Sequence, residues 1–139
     1  MNGETLPAED QWVVMFPGQG SQFVGMGKDF YSQSDACREI YDLANTIAQK
    51  DITKLCFSGP ISKLSNTDNL QIAMTATNLA IAHYLFEHTS IKPSVVLGHS
   101  VGEYSALNVA GSFDIEGALT AAFERGSLMQ REAKLKKGQ

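Results

Sequence analysis

Two hydrophobic patterns alternate along this chain. Trp12-Val13-Val14-Met15-Phe16 and Ser94-Val95-Val96-Leu97 are short, nearly continuous apolar runs, the pattern of buried strands. Elsewhere the interval is three and four: Ile40, Leu43, Ala44 and Ile47 recur at that spacing within a stretch from about Gly25 to Gln49, which predicts one face of a helix. From about Leu70 to His88 the chain is apolar almost all round, the signature of a buried helix. Asn66 to Asn69 supply polar residues that could cap it. Glu103 to Ala110 and Ile115 to Lys136 read as the remaining helices. Gly111 follows the first as a C-cap, and Ser112 or Asp114 precedes the second as a cap. Pro17-Gly18-Gln19-Gly20-Ser21 and Ser58-Gly59-Pro60 break the pattern as turns. Strands alternating with helices predict an α/β fold with a parallel sheet.

Composition narrows the function classes. The 139 residues carry a formal net charge of −4, with 43% hydrophobic and 19% charged residues. That supports a packed core and argues against disorder. The mild acidity disfavours a nucleic-acid surface. No apolar run reaches the roughly 18–20 residues of a membrane span. Residues 1–11 form a polar leader with three acidic residues and no Lys or Arg, unlike a signal or transit peptide. Cys37 and Cys56 make no CxxC pair, so neither a zinc site nor a disulfide framework is expected. A reducing, cytoplasmic setting follows.

The sharpest chemistry is Gly98-His99-Ser100-Val101-Gly102, a G-x-S-x-G motif with an apolar strand before it and a helix after it. That is the strand–turn–helix context of a nucleophile elbow. Flanking glycines suit it because a Cβ at either side of the bend would clash. Ser100 is then the nucleophile, and the Val101 N–H at the helix start faces a developing oxyanion. The plainer alternative is a glycine-rich turn with a capping serine. A serine needs a base, and the chain has three histidines, His83, His88 and His99. His99 adjoins Ser100, but neighbours on such a bend point apart. His83 and His88 read as helix residues, the latter near a C-terminus.

The loop Pro17-Gly18-Gln19-Gly20-Ser21-Gln22 fits neither phosphate motif. Phe23 stands where a dinucleotide fingerprint needs its third glycine. Gly27-Lys28 is followed by Asp29, and Gln22 replaces the first P-loop glycine. A loop leaving a parallel strand at the carboxyl edge of the sheet can instead bring the Gln19 N–H towards Ser100; a tight turn without chemistry stays open. On the last helix, at about 100° per residue, Ile115, Ala118, Leu119, Ala122, Gly126 and Met129 form one apolar stripe. Arg125 falls on its flank. A guanidinium there needs an anionic partner, either a structural carboxylate, which is the simpler reading, or the carboxylate of a substrate.

Taken together, Val14-Met15-Phe16-Pro17-Gly18-Gln19-Gly20-Ser21-Gln22, Gly98-His99-Ser100-Val101-Gly102-Glu103-Tyr104-Ser105-Ala106-Leu107, and Glu124-Arg125-Gly126 followed by Met129-Gln130 closely resemble the malonyl-CoA:acyl carrier protein transacylase family. The resemblance runs from about Trp12 to Glu132. It implies an α/β-hydrolase-like acyltransferase core and a malonyl ester on Ser100. It also implies an oxyanion hole from the Gln19 and Val101 N–H groups, and pairing of Arg125 with the malonyl carboxylate in place of a structural partner. Gln71, with His99, is a candidate lining residue; Ile72 replaces the proline that usually follows this glutamine. Malonyl-CoA and the phosphopantetheine arm of acyl carrier protein are then substrates, with no bound metal or cofactor, no nucleic acid and no membrane.

The family's catalytic histidine lies in a later Ser-His segment, and its C-terminal half and small ferredoxin-like subdomain also follow. None of these is present here, so this chain alone is expected to be inactive, with that half as its missing partner. Two other readings stand beside this one: a silent half that binds carrier or coenzyme A, and a fragment of a serine hydrolase.

Overall fold

A computed structural model describes residues 12–137, so the polar leader at 1–11 lies outside the described residues. Trp12–Phe16 forms strand β1 and Pro93–Gly98 strand β2. The two pair in parallel, with Val13 opposite Val95, Met15 opposite Leu97 and Phe16 opposite Gly98. Both strands therefore end at the same level, and the two glycine-bearing loops leave from one edge.

Five helices connect the strands: α1 (Lys28–Gln33), α2 (Asp35–Ala48), α3 (Ile52–Ser58), α4 (Ile61–Leu64) and α5 (Thr67–His88). The single helical stretch expected over 25–49 is two helices. Ser34 ends α1 in extended conformation and caps α2, its hydroxyl accepting from the Cys37 N–H at 3.3 Å, because a serine satisfies an orphan donor best at that position. Helices α3 and α4 lack a long period and left no clear pattern in the sequence. After β2 come α6 (Gly102–Val109) and α7 (Ile115–Lys137). Asp114, not Ser112, caps α7, accepting from the Gly117 N–H at 2.7 Å. Asn66 stands at the N-cap of α5 without a side-chain cap bond.

Helix α5 is the centre of the molecule. Its run from Asn69 to Ala80 is wholly buried against α2, α6 and α7. This is why its sequence is apolar on every side. Leu70, Ile72, Leu79, Tyr41, Ile52, Leu64 and Leu119 form the core with it. Cys37 and Cys56 are free and buried within this core.

The strands depart from expectation. One face of the sheet is covered: Val14, Phe16 and Val96 pack with Ala82 and Phe86 of α5 and with Ala106 and Val109 of α6. The other face is open, with Val13 52%, Met15 71%, Val95 50% and Leu97 41% exposed. A continuous apolar run signals cover on both faces, but among the described residues only one face has a neighbour. No described helix is long and apolar enough to cross a membrane.

Candidate active site

Ser100 lies between β2 and α6 with φ 55°, in the left-handed region that a residue with a Cβ seldom adopts. Val101, next in the chain, is already helical at φ −62° and ψ −23°. The bend is packed backbone against backbone. A Cβ on Gly98 would run into the Gly102 backbone, and one on Gly102 into the Phe16 and Pro17 carbonyls. The His99 N–H donates to the Phe16 carbonyl at 3.0 Å. The clash expected of a larger residue at either flank is thus real, and it involves the end of β1 as well as the elbow itself.

The loop after β1 joins the same cluster. A Cβ on Gly18 would strike the His99 carbonyl, so this loop lies directly against the elbow. Asn78 of α5, itself buried, donates to the Pro17 carbonyl at 3.1 Å. Gln22 Oε1 accepts from the Gly20 N–H at 2.8 Å, and Gln22 Nε2 donates to Ser65 Oγ at 3.2 Å. The backbone N–H groups of Gln19 and Val101 donate to no partner among the described residues. Val101 is buried and Gln19 sits on an exposed part of the loop; donors left unused at such a bend are available to an incoming oxygen.

Arg125 reaches in from α7. Its Nη2 donates to Ser100 Oγ at 3.2 Å, and its Nη1 donates to Gln71 Oε1. No carboxylate pairs with it among the described residues, so the structural ion pair that was the simpler sequence reading is not formed. Gln71 is fully buried, and its Nε2 makes a long 3.4 Å contact with Gln19 Oε1. A chain of side chains thus runs from Gln19 through Gln71 and Arg125 to Ser100. Gln71 fits smoothly into α5, so replacement of the expected proline by Ile72 leaves the helix unbroken.

The three histidines are placed as follows. The His99 side chain is exposed, its Nδ1 beside Gly18, and it makes no hydrogen bond to Ser100 among the described residues. His83 Nε2 lies 3.2 Å from Asn108 Oδ1. The His88 Nδ1–H donates to the Tyr84 carbonyl at 2.8 Å near the end of α5, and the ring stacks on Tyr84. None forms a hydrogen bond with Ser100 among the described residues. The sequence reading missed Asn78 as the tether of the Gln19 loop. Its signal was an amide within the largely apolar stretch that follows Gln71, since a buried amide must find a partner.

Comparison with known proteins adds the following. The acyl transferase domain family matches residues 13–139. The chain is 40% identical over 118 residues to a malonyl CoA-acyl carrier protein transacylase of Bacillus subtilis, covering 85% of this chain and 30% of that protein. The crystal structure of a malonyl CoA-acyl carrier protein transacylase from Clostridium perfringens superposes with a TM-score of 0.79 at 34% identity, over 86% of this chain and 38% of that one. A malonyl-transacylase in complex with a type II polyketide synthase acyl-carrier protein gives a TM-score of 0.81 at 35% identity, over 88% and 40%. The chain therefore spans between 30% and 40% of the length of these relatives.

Proposed function

Since the chain belongs to the acyl transferase domain family, we propose that it carries the nucleophile and the acyl-recognition residues of a malonyl-CoA:acyl carrier protein transacylase. The observation that carries the reading is the convergence on Ser100. A strained serine at a strand–helix bend has an arginine at 3.2 Å, an unused backbone donor next to it on Val101, and another on Gln19 in the loop packed against the elbow. That set suits acyl transfer to a serine with recognition of an anionic acyl group.

In the proposed cycle a base removes the Ser100 proton as Oγ attacks the thioester carbonyl of malonyl-CoA. The Gln19 and Val101 N–H groups hold the oxyanion. Collapse breaks the carbon–sulfur bond, and the thiol of coenzyme A leaves with the proton. The phosphopantetheine thiol of acyl carrier protein then attacks the Ser100 ester, the carbon–oxygen bond breaks, and Ser100 regains its proton. Arg125 binds the free malonyl carboxylate through both terminal nitrogens, while Gln71 and His99 line the site. The base comes from outside the described residues, on a further segment or chain. The open sheet face of Val13, Met15, Val95 and Leu97 supports a further layer there.

Labelled malonyl-CoA, with and without the remaining portion of a homologous transacylase added in trans, tests this. We expect an ester on Ser100, formed slowly by the chain alone and turned over only with the added portion. Arg125→Ala should shift preference from malonyl to acetyl, which a plain serine hydrolase would not show. Equal labelling of Ser100→Ala sinks the proposal. A second reading, a carrier- or coenzyme A-binding piece without acyl transfer, is favoured by the lack of a histidine hydrogen-bonded to Ser100 among the described residues. It predicts carrier or coenzyme A binding that Ser100→Ala leaves unchanged.

A further inference from the structure

Gly126 follows Arg125 in α7 and lies where that helix meets the first turn of α5. A Cβ at this position would stand 2.8 Å from the Thr67 carbonyl oxygen and 2.9 Å from Gln71 Cγ, closer than packed atoms tolerate. The carbonyl belongs to the helix backbone and cannot swing aside. One turn further along α7, Gln130 Oε1 accepts a hydrogen bond from the Thr67 N–H at 3.2 Å, one of the orphan donors at the start of α5. The same residue of α5 is thus held twice by α7, at its N–H by Gln130 and at its carbonyl by the bare backbone of Gly126. Gln71, one turn down α5, is the residue that Arg125 then meets. Glycine within a 23-residue helix is intrinsically unfavourable, so its presence calls for a contact that needs it.

We infer that Gly126 is a specificity-determining position: its missing side chain sets the spacing of α7 on α5 that seats Arg125 against both Gln71 and Ser100, and Gln130 is the supporting tie. Neither residue touches the acyl group. Both are positioning residues that act through Arg125. The inference rests on the carboxylate-binding role proposed above for Arg125.

The test uses the 139-residue chain with Gly126→Ala and Gln130→Ala variants. The probes are monomethyl malonate, which presents one carboxylate and one ester, and methyl acetate, which lacks the carboxylate. Binding is read from the Arg125 Nε–Hε NMR signal, assigned with Arg125→Lys, and crystal structures give the guanidinium position. In Gly126→Ala we expect the Arg125–Ser100 contact to open by about 1 Å and monomethyl malonate to bind on the order of tenfold more weakly. Weak methyl acetate binding should not change. Gln130→Ala should weaken the malonate ester by a smaller factor. A folded Gly126→Ala chain with Arg125 unmoved and binding within about twofold of wild type overturns the inference. If that variant does not fold, Gln130→Ala decides, and unchanged binding overturns it. If the wild-type chain ignores monomethyl malonate, the carboxylate role of Arg125 fails instead. The positional claim is then decided by the crystal structures, where an unmoved guanidinium overturns it.

Discussion

The Arg125 guanidinium donates to Ser100 Oγ at 3.2 Å and, through its other terminal nitrogen, to the side-chain oxygen of Gln71. A half-buried guanidinium must have acceptors. With no carboxylate against it among the described residues, two neutral oxygens take that place. A carboxylate adds a direct attraction between opposite charges that neutral oxygens lack, and it can meet the guanidinium with two parallel bonds. Under the proposed function, the malonyl carboxylate displaces both contacts.

Gln71→Glu should convert this arrangement into a permanent internal ion pair. The new carboxylate would occupy Arg125 and compete with the substrate's own. A charge-assisted bond is worth about 1.5–3 kcal/mol, so binding of monomethyl malonate should fall roughly ten- to a hundredfold, with no loss of the folded state. NMR titration of the Arg125 signal measures it, and wild-type affinity in Gln71→Glu would contradict the carboxylate-binding role proposed for Arg125.

Gly98→Ala should destabilise the fold. The added methyl meets the Gly102 backbone, and neither strand nor helix can yield without parting the elbow from β1. Overpacking of this kind costs about 1–3 kcal/mol or more. Urea unfolding gives the value, and a midpoint equal to wild type would mean that the elbow is looser than described.

Ser105→Ala should be neutral or stabilising. The Ser105 hydroxyl is buried in α6 and finds no hydrogen-bond partner among the described residues. An unsatisfied buried hydroxyl costs about 1–3 kcal/mol in desolvation, and alanine removes it without changing the helix. The same urea assay should show a gain of up to about 1 kcal/mol; a loss of that size would reveal a partner for the hydroxyl.

Stability should decline in alkali. Burial pushes the Cys56 thiol up to about 12, against a smaller lowering by the Thr77 hydroxyl. Burial likewise raises Tyr41, whose hydroxyl is shared with Thr77 Oγ1 at 2.8 Å. Both groups hold their protons in the folded state at a pH where the unfolded chain has lost them. The unfolded state then binds fewer protons, so stability is complete below about pH 8 and falls as pH rises from about 9 to 12. Each group ionised only in the unfolded chain contributes a slope of about 1.4 kcal/mol per pH unit. Urea titrations at stepped pH read this, and Cys56→Ala should flatten the part of the fall that begins near pH 9. An identical profile in that variant would remove Cys56 from the account.

Much of the fold was legible because its signals are local. The period of Ile40, Leu43, Ala44 and Ile47 marks α2: Ile40 and Ala44 are buried, and Leu43 and Ile47 are partly buried against the core. The absence of a polar face marks α5 as central. Ser34 was not legible as a helix boundary, because a capping serine and a surface serine look alike until the chain turns there. The strands were found, but their burial was misjudged. Val13 and Met15 are exposed for want of a neighbour on that face, and cover is a property of what packs outside the strand.

The site divides along the same line. The local sequence placed Ser100 on a bend between strand and helix, put Gln19 on a glycine loop at the same sheet edge, and set Arg125 beside an apolar stripe. Those follow from dihedral preference and periodicity, which act within a few residues. Which partner Arg125 takes, that Gln71 bridges it to Gln19, that Asn78 holds Pro17, and that Gly126 admits Thr67 were decided only in three dimensions. Each is a contact between residues 54, 52, 61 and 59 positions apart. Such contacts depend on how closely α7, α5 and the two loops approach one another, and that distance is set by the packing of all of them together.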